Sequence, residues 1–156
     1  MRCFHLPRMM FTAALVLATL QPGCKSKSNS NETPFEKILA TFQGGDKAAA
    51  VQAFIDSDWN DSPAFRDTSP LCSKESDFAS MTNENMERLM KDVLSQSNSI
   101  RMLAKMASEK YKSVSDTKQT QRCNVKLKYL GEQLNRPDGL QVVQLIGKAI
   151  QQSASK

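Results

Sequence analysis

Histidine and cysteine set the first limits on what this 156-residue chain can do. Its single histidine is His5, close to the start, and none follows. Imidazole is the side chain that titrates near neutral pH and a leading general base and zinc ligand. Beyond His5 the chain therefore offers no Ser–His or Cys–His nucleophile pair and no His-ligated zinc. The densest group of carboxylates is in residues 56–70, DSDWNDSPAFRDTSP, which also hold the only tryptophan, Trp59. Asp56, Asp58, Asn60 and Asp67 place oxygen atoms at intervals that a hard cation such as calcium can use. Asp61 stands where the turn glycine of such a loop belongs, Pro63 follows, and Asp67 replaces the bidentate Glu. The same segment offers a second chemistry. Paired acids hydrolyse glycosides without histidine, and Asp56, Asp58, Asp61 and Asp67 surround Trp59, an indole suited to stacking on a sugar. The plainer reading is a turn rich in Asp, Ser and Pro, with Trp59 and Phe65 folded back on a core. No cofactor is implied.

The elements that must position these residues read as helices. Thr33 caps a helix opened by Pro34, with Phe35, Ile38, Leu39 and Phe42 at helical spacing. Gly44-Gly45 stop it, and Asp46 caps a second helix carrying Ala50, Val51, Phe54 and Ile55. Residues 73–78 suit a short helix. Thr82 or Asn83 then caps a long one, striped by Met86, Leu89, Met90, Val93, Leu94, Ser97, Ile100, Leu103, Ala104, Ala107 and Tyr111, with Ser95–Ser99 as a place where it would break or kink. Its methionines read as core filler or as a pliable groove. A turn at 113–116 leads to a helix with Cys123, Leu127, Leu130 and Leu134 on one face and Lys118, Arg122, Lys126 and Lys128 on the other. Pro137 ends it. Asp138-x-x-Gln141 reads as a capping box for a last helix with Leu140, Val143, Ile146, Gly147 and Ile150. Gly147 costs about 1 kcal/mol there relative to Ala unless another helix packs closely on it. No strand pattern of useful length occurs, so the expected class is all-α: antiparallel helical hairpins in one small bundle.

Net charge is +5, and no cluster of Lys and Arg is interleaved with aromatics, so nucleic acid is not an expected partner. Arg2 and Arg8 precede a 12-residue uncharged apolar run, Met9–Leu20. A bilayer-spanning helix needs about 20 apolar residues; this run has the length of a signal-peptide core. Gln21-Pro22-Gly23-Cys24 follows, then the polar run 25–33. Gly23-Cys24 resembles the lipobox of bacterial lipoproteins, with Gln21 where the family usually has Leu. The resemblance implies a leader over 1–23, removed in maturation, and acyl chains on Cys24. Residues 24–33 become the lipidated cysteine and its tether, 34–152 the helical domain and 153–156 a frayed tail. Lys25, rather than an acidic residue, follows Cys24, which by the same resemblance favours the outer membrane. Without the two leader arginines the charge is +3.

With Cys3 and Cys24 assigned to leader and lipid, a four-cysteine zinc site is excluded. Cys72 and Cys123 remain, as two separate thiols or as a disulfide in an oxidising compartment. A bridge would close a loop of roughly 50 residues and contribute on the order of 4 kcal/mol. Gly45-Asp46-x-x-x-Ala50-x-x-x-Phe54 resembles half of a tetratricopeptide (TPR) repeat, in which the small residue admits the paired helix and Phe fills the groove. Ser115-Asp116-x-x-x-Thr120 echoes it. The run LGEQLNRPDGLQVVQLIGKAI together with GDKAAAVQAF is similar to secreted or lipoprotein helical domains of planctomycete type, a resemblance that assigns no activity to any residue. These readings converge on an exported, lipid-anchored helical protein of the cell envelope that binds envelope proteins without catalysis. Its expected interaction surface is a groove near Phe54, Trp59 and Phe65. The alternatives are a carboxylate-based saccharide-binding or hydrolysing protein, and a calcium-stabilised secreted domain.

Overall fold

A computed structural model describes residues 31–112 and 116–154. It is all-α, with five α-helices: α1 (Pro34–Gln43), α2 (Lys47–Asp56), α3 (Asn83–Lys112), α4 (Thr117–Leu134) and α5 (Gln141–Ala154). Short 3₁₀ turns at Trp59–Asp61, Pro70–Cys72 and Glu75–Ser80 occupy the long connection between α2 and α3. No strand occurs among the described residues; one isolated bridge joins Lys74 and Gly139. The expected leader, Cys24 and most of the expected tether lie outside the described residues, as does most of the turn expected at 113–116.

Local chemistry accounts for most of the helix ends. Thr33 caps α1, its hydroxyl accepting from Glu36 N while the Glu36 carboxylate accepts from Thr33 N, so both donors of the first turn are satisfied. Gly45, at φ 100°, makes the turn into α2, a conformation glycine enters without a Cβ penalty. Asp46 accepts from Ala49 N and Asp116 from Lys118 N and Gln119 N, capping α2 and α4. At the last helix the structure differs from the expected capping box. α5 begins at Gln141, and Asp138 instead pairs with Lys74 at 2.8 Å and Arg136 at 3.5 Å. The Lys74 hydrogen bond is the main reason its pKa is lowered. The helix also runs through Ala154, so the expected tail begins later than residue 153.

The packing has one long spine. α3, 30 residues and about 45 Å long, touches α1, α2, α4 and α5. Ser95–Ser99 do not break it; Ser99 Oγ donates back to Ser95 O at 3.1 Å. The expected stripe is buried from Val93 to Tyr111, but Met86, Leu89 and Met90 are only half-buried and Leu94 is exposed. The apolar stripe thus outlasts the body it packs on.

α4 and α5 meet through two glycines. A Cβ on Gly131 would lie 2.7 Å from Gly147 O, and a Cβ on Gly147 would lie 2.7 Å from Gly131 O and 2.8 Å from Asn135 N. These are backbone atoms that cannot move aside. The close helix that Gly147 requires is therefore present, and Gly131 is its counterpart. Alanine at either position gains roughly 1 kcal/mol of helix propensity but forces the helices apart, a strain of about 1–3 kcal/mol plus lost contacts. We expect Gly131→Ala and Gly147→Ala each to lower stability by about 2 kcal/mol in urea unfolding followed by circular dichroism. Unchanged midpoints for both would show that the crossing is looser than described.

Candidate functional site

The groove expected near Phe54, Trp59 and Phe65 is not open. The three rings are 0%, 1% and 6% exposed, so the interaction surface expected there is corrected to core. Trp59 lies 4.7 Å from Phe35, 5.2 Å from Phe54 and 5.8 Å from Tyr129, centroid to centroid, and Phe65 lies 5.3 Å from Phe35. The reason is the short return of the chain after α2. The Trp59 indole Nε1–H donates to Phe54 O at 2.8 Å, which turns the ring inward on its own helix end. A buried indole has no face for a sugar, so the saccharide reading loses its stacking platform.

Beside this cluster is the most unusual group in the fold. Lys126, expected on the polar face of α4, is 3% exposed. Its ammonium donates to Ile55 O at 2.7 Å and to Ser57 O. Those carbonyls belong to the end of α2, where helix geometry leaves acceptors without intrahelical donors. A cation there also meets the negative end of the helix dipole. Burial pushes the Lys126 pKa down, as does the Arg122 charge, while Asp58, Asp56 and Asp61 oppose the change. Basic residues at i, i+4 and i+8 look like a solvated stripe, and no sequence signal separates Lys126 from Arg122 or Lys118. Its buried role depends on where α2 ends in space.

The acidic loop is occupied by its own neighbours. Asp56 accepts from Gln52 Nε2 at 2.5 Å and Asp58 faces Arg122 at 3.6 Å. Asp58 and Asn60 line an open hollow of about 420 Å³ with Lys118, Arg122 and Val125. Asp67 instead lies near Cys72. Asp56, Asp58, Asn60 and Asp67 are thus not gathered as a calcium loop would gather them, and among the described residues no group of three or more His, Cys, Asp or Glu could hold a metal ion.

Cys72 and Cys123 are free thiols, which corrects the disulfide reading in favour of the separate one. Their surroundings differ. Cys72 is half-buried near Arg136, Asp67 and Glu36, while Cys123 is 1% exposed near Lys112 and Lys126. Burial raises both pKa values, that of Cys123 to about 11.

A hollow of about 580 Å³ is lined by Lys74, Glu75, Asp138 and Gln141, and further concave surface lies along α3. A groove of about 280 Å³ between α3 and α5 has Arg101, Lys105 and Lys112 on its rim and Ala104, Ser108 and Ile150 beneath. No family model, no curated protein and no solved structure matches the chain.

Two expectations test this geometry. Lys126→Met keeps the buried stem and removes the donors, leaving the buried Ile55 carbonyl unmet at about 1–3 kcal/mol and the half-buried Ser57 carbonyl unmet at the lower end of that range. We expect it to lose about 3 kcal/mol in urea unfolding, against less than about 0.5 kcal/mol for exposed Lys128→Ala. Equal losses would show that the ammonium does not hold the end of α2. Because the thiolate is the nucleophile, iodoacetamide at about pH 8 should alkylate Cys72 well before Cys123, with peptide mapping as readout. A recovered Cys72–Cys123 linked peptide would contradict the free thiols.

Proposed function

We propose that the protein is exported, lipid-anchored through Cys24, and acts at the cell envelope as a non-catalytic interaction or scaffold protein. The observation that carries this reading is the order of segments at the start of the sequence. The positive start, the apolar run Met9–Leu20, Gly23-Cys24 and the polar run 25–32 lead directly into Thr33. Thr33 is fastened on two sides: it shares the capping box with Glu36, and its Oγ1 donates to Ala64 O at 2.6 Å. The tether thus enters a fixed point of a packed domain. Among the described residues no helix is long and apolar enough to cross a membrane, so in this reading attachment falls to the acyl chains on Cys24, each buried CH₂ contributing about 0.8 kcal/mol. Lys25 after Cys24 favours the outer membrane.

The interaction role is supported by the α1–α2 hairpin, in which Ala50 and Phe54 are fully buried and Phe54 meets Phe35 of α1 edge-on at 6.3 Å. That seam supports the TPR-like reading of Gly45–Phe54. Its partners are envelope proteins that the hairpins and the α3 surface would contact.

Membrane fractionation with a fatty-acid label, on the full chain against Cys24→Ser, tests the anchor. We expect the wild type to be labelled and to pellet with membranes, and the variant to be neither. Unlabelled, soluble wild-type protein would remove the lipobox reading and with it the envelope assignment.

A further inference from the structure

Charge is divided along this chain. Residues 34–80 hold eight acidic and four basic side chains, whereas residues 101–128 hold eight basic and two acidic ones. Of those eight, Lys126 is buried on carbonyls and Lys110 donates to Gln52 Oε1 at 2.6 Å. Arg101, Lys105 and Lys112 are exposed, and all three stand on the rim of the α3–α5 groove. The acid on that rim, Glu109, is 3.7 Å from Lys105.

Apolar surface accompanies the cations. Met102 is 44% exposed and, with Met106, lines a neighbouring hollow that shares Arg101 and Lys105. No aromatic ring lines either hollow, so the surface lacks the stacking platform that single-stranded nucleic acid uses. A strongly hydrated polyanion gains nothing from Met102. A segment carrying both carboxylates and apolar side chains gains from the whole surface, because charge complementarity steers it and methionine side chains adapt to its apolar face.

Lys112, at one end of the groove, and Thr33 lie by opposite ends of α4. Thr33 and Glu36 lie near Arg136, beyond the end of α4, since Cys72 senses the charges of both Glu36 and Arg136. Lys112 lies by the start of α4, where Thr120 Oγ1 donates to Tyr111 O at 3.0 Å and Cys123 senses its charge. The 18 residues of α4 put about 27 Å between the two ends.

We propose that the α3–α5 groove docks an acidic amphipathic segment of a partner protein, Arg101, Lys105 and Lys112 receiving its carboxylates and Met102 its apolar side chains. This rests on the reading of the chain as an interaction protein.

The test is a fluorescence-anisotropy titration of the full chain at low salt with a labelled peptide of Glu-Leu-Leu-Glu repeats. Arg101→Glu, Lys105→Glu and Lys112→Glu are combined in one variant. The combined Lys37→Glu, Lys47→Glu and Lys128→Glu variant changes net charge equally at exposed positions elsewhere. Far-ultraviolet circular dichroism confirms that both fold. We expect the groove variant to weaken binding by about tenfold or more and the control by about twofold or less. Equal weakening in both variants, or no binding by the wild type, overturns the proposal. So does binding of polyphosphate or phosphatidylglycerol vesicles through these three residues in place of the peptide. Lipidation at Cys24 does not enter the titration, so the anchor and the groove stand or fall separately.

Discussion

A helix that ends inside a protein must find donors for its last carbonyls, and the end of α2 sets that requirement for the whole fold. Phe54, Ile55 and Ser57 present carbonyl oxygens among buried rings. Leaving them unmet costs about 1–3 kcal/mol each. The Trp59 indole meets the first from three residues past the helix, and Lys126 meets the other two from α4. One solution bends the chain and brings Trp59 onto Phe35. The other draws α4 against the α1–α2 pair. The aromatic cluster then follows from a hydrogen-bond constraint as much as from hydrophobicity.

The opposite side of the fold depends on atoms that are absent. Gly131 and Gly147 let two backbones approach where any side chain would collide. Leu127, Leu130, Leu134, Val143 and Ile150 fill the space around that contact. α3 passes across both arrangements and buries Ile100, Leu103 and Ala107 between them. The two halves have different tolerances. The aromatic half has flexible polar partners at its edge, whereas the backbone atoms that meet at the two glycines cannot move aside.

The helices were legible in the sequence because their signals are local. Thr33, Pro34, Asp46, the glycine pair and the 3–4 spacing of Phe35 to Phe42 or Cys123 to Leu134 need no tertiary context. Gly147 within a helix also signals a close neighbour, whereas nothing singles out Gly131 beside the strong leucine stripe. The site residues were less legible. Trp59 and Phe65 in an Asp-rich turn read either as an open surface or as rings folded back on the core; the second holds, and the inward turn of Trp59 depends on one carbonyl five residues earlier. Lys126 shares its spacing with exposed cations, and only the position of α2 distinguishes it. Cys72 and Cys123 could be paired on paper, since spacing along a chain says nothing of the different pockets that hold them.

The fastening at Thr33 has a mechanical consequence. Any pull delivered through residues 24–32 arrives at a residue bonded both to its own helix and to Ala64, and Glu36 one turn on holds Arg66 at 2.8 Å. Load would therefore be shared between α1 and the loop that carries Phe65, with the bonds stretched together rather than one after another. A helix tied only to itself would peel from its first turn. This one resists as a clasp.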